Sequence, residues 1–235
     1  MTDRVPTGCT AIDGLLDGGF ERGTVSQVYG PPAAGKTNLA LSAAVEAALD
    51  GGEAVYIDTE GLSIDRFRQL LEARTDAVED ISARIAIQEV HDFDEQVAAV
   101  RDVDELAPES DLVVLDSATG FYRVQRTADT TEGETLRQVA DQVTHLLSLA
   151  RRHDLAVLLT NQVYSDPDSE RARPLGGHTL QHWTGTILRL ERFRGGNRRA
   201  TLEKHRSKPA GETGRFRITA TGLDGVDEGS GPDAF

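Results

Sequence analysis

The stretch YGPPAAGKTNLA, residues 29–40, decides how this chain is read. It satisfies the spacing GxxxxGK[ST] with Gly30, Gly35, Lys36 and Thr37, follows an apolar run and opens a helical pattern. A polyphosphate demands that arrangement. Glycines let successive backbone N–H groups close around phosphate oxygens, and the helix N-terminus adds the positive end of its dipole. The lysine reaches the β- and γ-phosphates while the hydroxyl holds Mg²⁺. Gly30, Pro31, Pro32, Ala33, Ala34, Gly35, Lys36 and Thr37 are therefore expected to cradle a nucleotide, with Thr37 also on the metal.

Outward from that loop, short runs rich in Val, Ile and Leu alternate with longer helical stretches, the pattern of βαβ units around a buried parallel sheet. The runs are TVSQVYG (24–30), EAVYIDTE (53–60), RIAIQEV (84–90), DLVVLD (111–116) and LAVLLTNQ (155–162). Helices are expected at about 36–50, 63–74, 92–107 and 132–153. The last is the clearest, because Leu136, Val139, Val143, Leu146, Leu147 and Ala150 recur at three- and four-residue steps. After residue 185, TILRLERF, a GGN turn at 195–197, RATLEKH and GRFRITATGL alternate apolar and polar residues, as antiparallel hairpins do. GLDGVDEGSGPDAF, from Gly222 onward, reads as a frayed end, so a core over residues 1–225 and a disordered tail at 226–235 are expected. The fold class is α/β: a P-loop core with a mixed, mostly parallel sheet of about eight strands flanked by helices, extended by C-terminal antiparallel hairpins.

Three polar residues stand at the C-terminal ends of other expected strands, where open α/β sheets bind ligands. Asp116 closes an apolar strand with a carboxylate able to orient Mg²⁺ through water. Glu60 could polarise an attacking water. Gln162 could sense the γ-phosphate by a hydrogen bond. Each has a plainer alternative, a strand-end residue capping the next helix or turn.

Asp and Glu outnumber Lys and Arg by 39 to 25, for a net charge of −14, and only Lys36, Lys204 and Lys208 are lysine. Net charge speaks to solubility rather than to fold. It also fits a cytoplasm at molar salt, where the Debye length falls to about 3 Å and crowded acids hardly repel. The single cysteine, Cys9, cannot form an internal disulfide, no apolar run approaches a membrane span, and MTDRVPTGCT lacks the apolar core of a signal peptide. A cytoplasmic protein is expected. Residues 186–217 depart from the acidic norm, with ten Lys or Arg against three acids. Such a strip calls for an anionic partner.

With these pieces in place the chain resembles the ATPase core of the RecA/RadA recombinase family over about residues 5–225. The segment from Pro6 into the phosphate loop, then IDTEG, LVVLDSATGFYR, LLTNQV and RPLGGHTLQHWT, follow in that family's order. The resemblance implies a sheet ordered 3-2-4-5-1-6-7-8, with ATP and Mg²⁺ as cofactors. It implies catalytic roles for Lys36, Glu60 and Gln162 and a metal role for Asp116. Bacterial members reach across the subunit interface to the neighbour's γ-phosphate with two cations two residues apart, and Lys204 and Arg206 fall where that pair would be. The alternative is a pair of exposed hairpin charges. Lys208 belongs either to the same edge or to the basic strip.

Two loops of the family line the DNA axis, here about Tyr122–Glu134 and Tyr164–Gly177. Arg123, Arg126, Arg171 and Arg173 would grip phosphate, with Gly176 and Gly177 permitting close approach. Tyr122, Tyr164 or Trp183 would stack on bases, although Trp183 in its short helix is expected in the core. His178 reads as a relay between nucleotide and DNA or as a helix cap. Each loop also carries three acids, which weighs against strand exchange. The resemblance begins close to the first residue, so an ATPase core with no helix-hairpin-helix domain before it is expected. The resemblance therefore implies an accessory protein of recombination and DNA repair that binds ATP and prefers single-stranded DNA, hydrolyses ATP weakly and exchanges no strands itself. Its implied partners are the main archaeal recombinase RadA, a Holliday junction resolvase and further copies of itself. The alternative is a full DNA-stimulated recombinase or a ring-forming ATPase.

Overall fold

Strands that are apolar at nearly every position need both faces covered, and that requirement builds this molecule. The structure is a computed structural model describing residues 4–121, 132–164, 173–174 and 177–226. A short pair, β1 (Arg4–Val5) and β2 (Phe20–Glu21), brackets helix α1 (Thr10–Leu15). The central strands and helices then alternate: β3 (Val25–Tyr29), α2 (Lys36–Leu49), β4 (Ala54–Asp58), α3 (Ile64–Glu72), α4 (Val78–Ser82), β5 (Ile85–Glu89), α5 (Phe93–Leu106), β6 (Leu112–Asp116), α6 (Glu132–His153) and β7 (Ala156–Asn161). A small pair, β8 (Val163–Tyr164) with β9 (Arg173–Pro174), precedes α7 (Gly177–Trp183). The chain closes on β10 (Thr186–Arg192), β11 (Asn197–Lys204), β12 (Thr213–Thr219) and β13 (Gly222–Val226).

The main sheet runs β5-β4-β6-β7-β3-β10-β11-β12-β13, parallel through β10 and antiparallel beyond it. This is the expected order with a ninth strand added. Val28, Val114 and Leu158 pack on one face beneath α1, α2 and α3, whereas Val25, Val113 and Val157 pack on the other beneath α5 and α6. Burying each Leu or Val contributes about 1.5–3 kcal/mol. Local signals agree with the layering. Asp92 caps α5 by accepting from Glu95 N at 2.8 Å, and Glu95 accepts in turn from His91 N at 2.8 Å, a reciprocal closure of the helix start. Helix α6 ends in Arg151, Arg152 and His153, where cations meet its negative pole.

Two expectations are corrected. Gly222–Val226 is not a frayed end: it pairs with β12, and Leu223 is buried opposite Ile218. Two glycines and an acid in this strand hid the one apolar contact that anchors it. Residues 227–235 of the expected tail lie outside the described residues. Trp183 is not in the core either. It is 39% exposed at the end of α7, its ring edge-on to His182 at 5.0 Å, while Leu180 supplies the buried contact of that turn. No helix among the described residues is long and apolar enough to cross a membrane.

Candidate functional site

Strand β3 is buried throughout and delivers the chain to Gly30 at the C-terminal edge of the sheet. A Cβ on Gly30 would sit 2.3 Å from the Leu190 carbonyl oxygen of β10, so glycine is required by contact. Gly35 stands at φ 107° immediately before α2, in the left-handed region that favours glycine. Between them the loop folds back so that Lys36 Nζ donates to the Gly30 carbonyl at 2.9 Å and the Pro31 carbonyl at 3.2 Å. Lys36 is 8% exposed. Burial lowers its pKa, and the charges of Glu60 and Asp116 oppose that effect. The lysine is thus an internal cation held on two carbonyls and within the field of two carboxylates.

Asp116, at the end of β6, is 1% exposed. Its carboxylate accepts from Tyr56 Oη at 2.6 Å and from Thr160 Oγ1. Burial raises its pKa, while hydrogen bonds from Thr160, Tyr56 and Thr37 pull it back toward the ionised form. The two residues expected on the metal, Thr37 and Asp116, therefore lie near each other. One hydroxyl and one carboxylate suit Mg²⁺, which keeps most of its waters and takes its other ligands from phosphate oxygens. Among the described residues no cluster of three or more His, Cys, Asp or Glu forms a dedicated cage.

Glu60 and Gln162, expected from separate strand ends, meet. Glu60 Oε1 accepts from Gln162 Nε2 at 2.8 Å and from Ser117 Oγ at 2.7 Å. The turn that carries Glu60 is fixed by Asp58, whose buried carboxylate accepts from the backbone N–H groups of Glu60 and Gly61 at 3.1 Å each. Thr59 ties the same turn to β6: its N–H donates to the Asp116 carbonyl at 2.8 Å, and its Oγ1 accepts from Ser117 N at 2.8 Å. Ser117 is the functional candidate missed in the sequence. In the sequence it is only a hydroxyl next to the strand-end carboxylate, and the pairing of β4 with β6 gives it Glu60 as a partner.

Lys204 and Arg206 lie elsewhere. Ile187 faces both Lys204 and Gln27 in register, so Lys204 sits level with the middle of β3 and Arg206 follows two residues further from the phosphate loop, which leaves the end of that strand. Lys204 Nζ donates to the Gln181 and Thr184 carbonyls at 2.7 Å each, closing the C-terminal end of α7. Arg206 stands 3.7 Å from Glu21. Lys208 separates from the pair, bound to Asp17 at 2.7 Å and to the Gly14 carbonyl at 2.7 Å. The basic strip is partly neutralised within itself, by Arg189 on Glu203 at 3.1 Å and Arg199 on Glu191 at 2.9 Å. Arg123, Arg126, Arg171 and Gly176 lie outside the described residues, as do Tyr122 and the side chain of His178; Arg173 opens β9 and Gly177 opens α7.

The Rad51 family model matches residues 2–226. A DNA repair and recombination protein RadB from Halobacterium salinarum is 66% identical over 222 residues, covering 94% of each chain. One from Methanococcoides burtonii is 42% identical over 95% of this chain and 98% of its own. The crystal structure of a RadB recombinase superposes with a TM-score of 0.82 at 37% identity, over 95% of this chain and 100% of that one. The acidic surface agrees with the Halobacterium relative. The phosphate loop, the strand order and the strand-end carboxylates thus have one source, for the chain belongs to the Rad51 family.

Proposed function

We propose that this chain is an ATP- and DNA-binding accessory protein of homologous recombination and repair, with weak ATP hydrolysis and no strand exchange of its own. The observation that carries the reading is the placement of Lys36, Thr37, Asp116, Glu60 and Gln162 around one strand edge, with Lys204 and Arg206 set back from that edge. Rad51-family ATPases use ATP and Mg²⁺, and the residues present fit both. The loop from Gly30 to Thr37 would wrap the phosphates. Thr37 and Asp116 would hold Mg²⁺, which neutralises phosphate charge when bound.

Lys36 would leave its two carbonyls for the β- and γ-phosphates. Glu60 would orient the attacking water once Ser117 or Gln162 yields its hydrogen bond, and Gln162 would report the γ-phosphate. Lys204 and Arg206 would complete a neighbour's site across an interface, as charge stabilisers in trans. A lone subunit then turns over slowly. DNA, with single strands preferred, the recombinase RadA and a Holliday junction resolvase are the partners of this reading, which places the protein in the cytoplasm.

Single-turnover hydrolysis of ATP, measured alone, with single-stranded DNA, and with DNA plus RadA, tests it. Slow turnover in every arm but the last supports the accessory role. Strong stimulation by DNA alone would indicate a full recombinase and overturn it.

A further inference from the structure

On the sheet face covered by α2, β10 and β11 present Leu188, Leu190, Ala200 and Leu202, all fully buried. One step further toward the phosphate loop, the same stripe ends in Arg192 and Arg198, directly opposite each other in the β10–β11 register. Like charges in that position repel. On the other face of the same strands Arg189 and Arg199 are each paired with a glutamate. Arg192 and Arg198 have no acidic partner among the described residues, in a chain with 39 acids.

Arg198 lies against the phosphate loop. One terminal nitrogen donates to the Gly196 carbonyl at 2.7 Å, the other to the Ala33 carbonyl at 3.4 Å, and its Nε is buried without a partner. A Cβ on Gly35 would stand 3.5 Å from Arg198 Cδ and Nε. Burial, then the charge of Arg192, lowers the pKa of Arg198. An anion at the loop's rim would relieve both effects.

We propose that Arg198, seconded by Arg192, is a nucleotide-positioning cation supplied in cis by the C-terminal hairpin, serving the polyphosphate through the rim at Ala33 to Gly35. The proposal rests on the phosphate loop being a nucleotide site. It adds to that site a charge that needs no neighbouring subunit.

The test compares Arg198→Gln, Arg198→Lys, Arg192→Gln and Lys36→Ala in the full chain. It uses calorimetric titration with Mg·ATP and Mg·ADP and the melting temperature without nucleotide. Arg198→Gln is expected to weaken both nucleotides about tenfold, the loss of one charge-assisted hydrogen bond. Without nucleotide it should melt no lower than wild type, because the repulsion is gone, and Arg198→Lys should recover most of the affinity. Arg192→Gln should weaken binding less. Affinity retained in Arg198→Gln but lost in Lys36→Ala overturns this inference alone. Affinity retained in both overturns the nucleotide site as well. An affinity loss that comes with a lower melting temperature and that lysine does not rescue marks a structural arginine and also overturns the proposal.

Discussion

Replacing Tyr56 by Phe removes one oxygen from the centre of the site and nothing else. Tyr56 Oη donates to Asp116 Oδ2 at 2.6 Å, and the two residues are 0% and 1% exposed. A hydrogen bond to a charged group is worth about 1.5–3 kcal/mol, so a loss of about 2 kcal/mol is expected at neutral pH. For a chain of this size that corresponds to a melting temperature lower by roughly 4–8 °C. Because the pair is buried, the deficit should persist at high KCl.

The pH dependence has a definite sign. Burial raises the Asp116 carboxyl in the folded state, so its ionised form costs stability in full above the folded pKa, and the cost begins to fall as pH drops through that value and is gone only below the ordinary carboxylate range. Tyr56→Phe raises the carboxyl further. The gap between variant and wild type should therefore be widest near pH 8 and narrow on acidification. Thermal melts followed by circular dichroism at several pH values decide the matter. A variant melting with wild type, or a gap that widens toward acid, would refute the description of Asp116 as a buried carboxylate held ionised by its donors.

Glu60→Gln should lower single-turnover hydrolysis about a hundredfold or more while leaving ATP affinity nearly unchanged, as expected for a group that acts on water. Gly30→Ala should abolish nucleotide binding and lower the melting temperature, since the added Cβ would stand 2.3 Å from the Leu190 carbonyl oxygen. If Lys204 and Arg206 act in trans, mixing Lys36→Ala subunits with Lys204→Ala/Arg206→Ala subunits should give more ATPase activity than the two separately; no gain in the mixture rejects the trans role. Raising KCl from low to molar concentration should raise the melting temperature, because screening relieves repulsion among the surplus acids.

The fold was legible where the chain repeats one physical rule. Buried parallel strands must be apolar at successive positions, so DLVVLD and LAVLLTNQ mark β6 and β7 within a residue of their observed limits. Elements that depend on distant partners were not legible. β13 pairs with β12 along its whole length but buries a single leucine, and Trp183 stays 39% exposed while Leu180 supplies the buried contact of its short helix. At the site, Lys36, Thr37 and Asp116 announced themselves by spacing and strand ends. Ser117 did not, because its role exists only once β4 and β6 lie side by side and bring Glu60 within 2.7 Å. The Arg192–Arg198 pair was hidden for the same reason: in sequence these are two of many cations, and only the register sets them face to face beside the loop.

Calorimetric titration of the wild-type chain and of Lys36→Ala with Mg·ATP tests the central claim most directly. One ATP bound per wild-type chain, with binding lost in the variant, is the predicted result; a variant that binds ATP as tightly as the wild type would contradict the assignment of residues 30–37 as the nucleotide site.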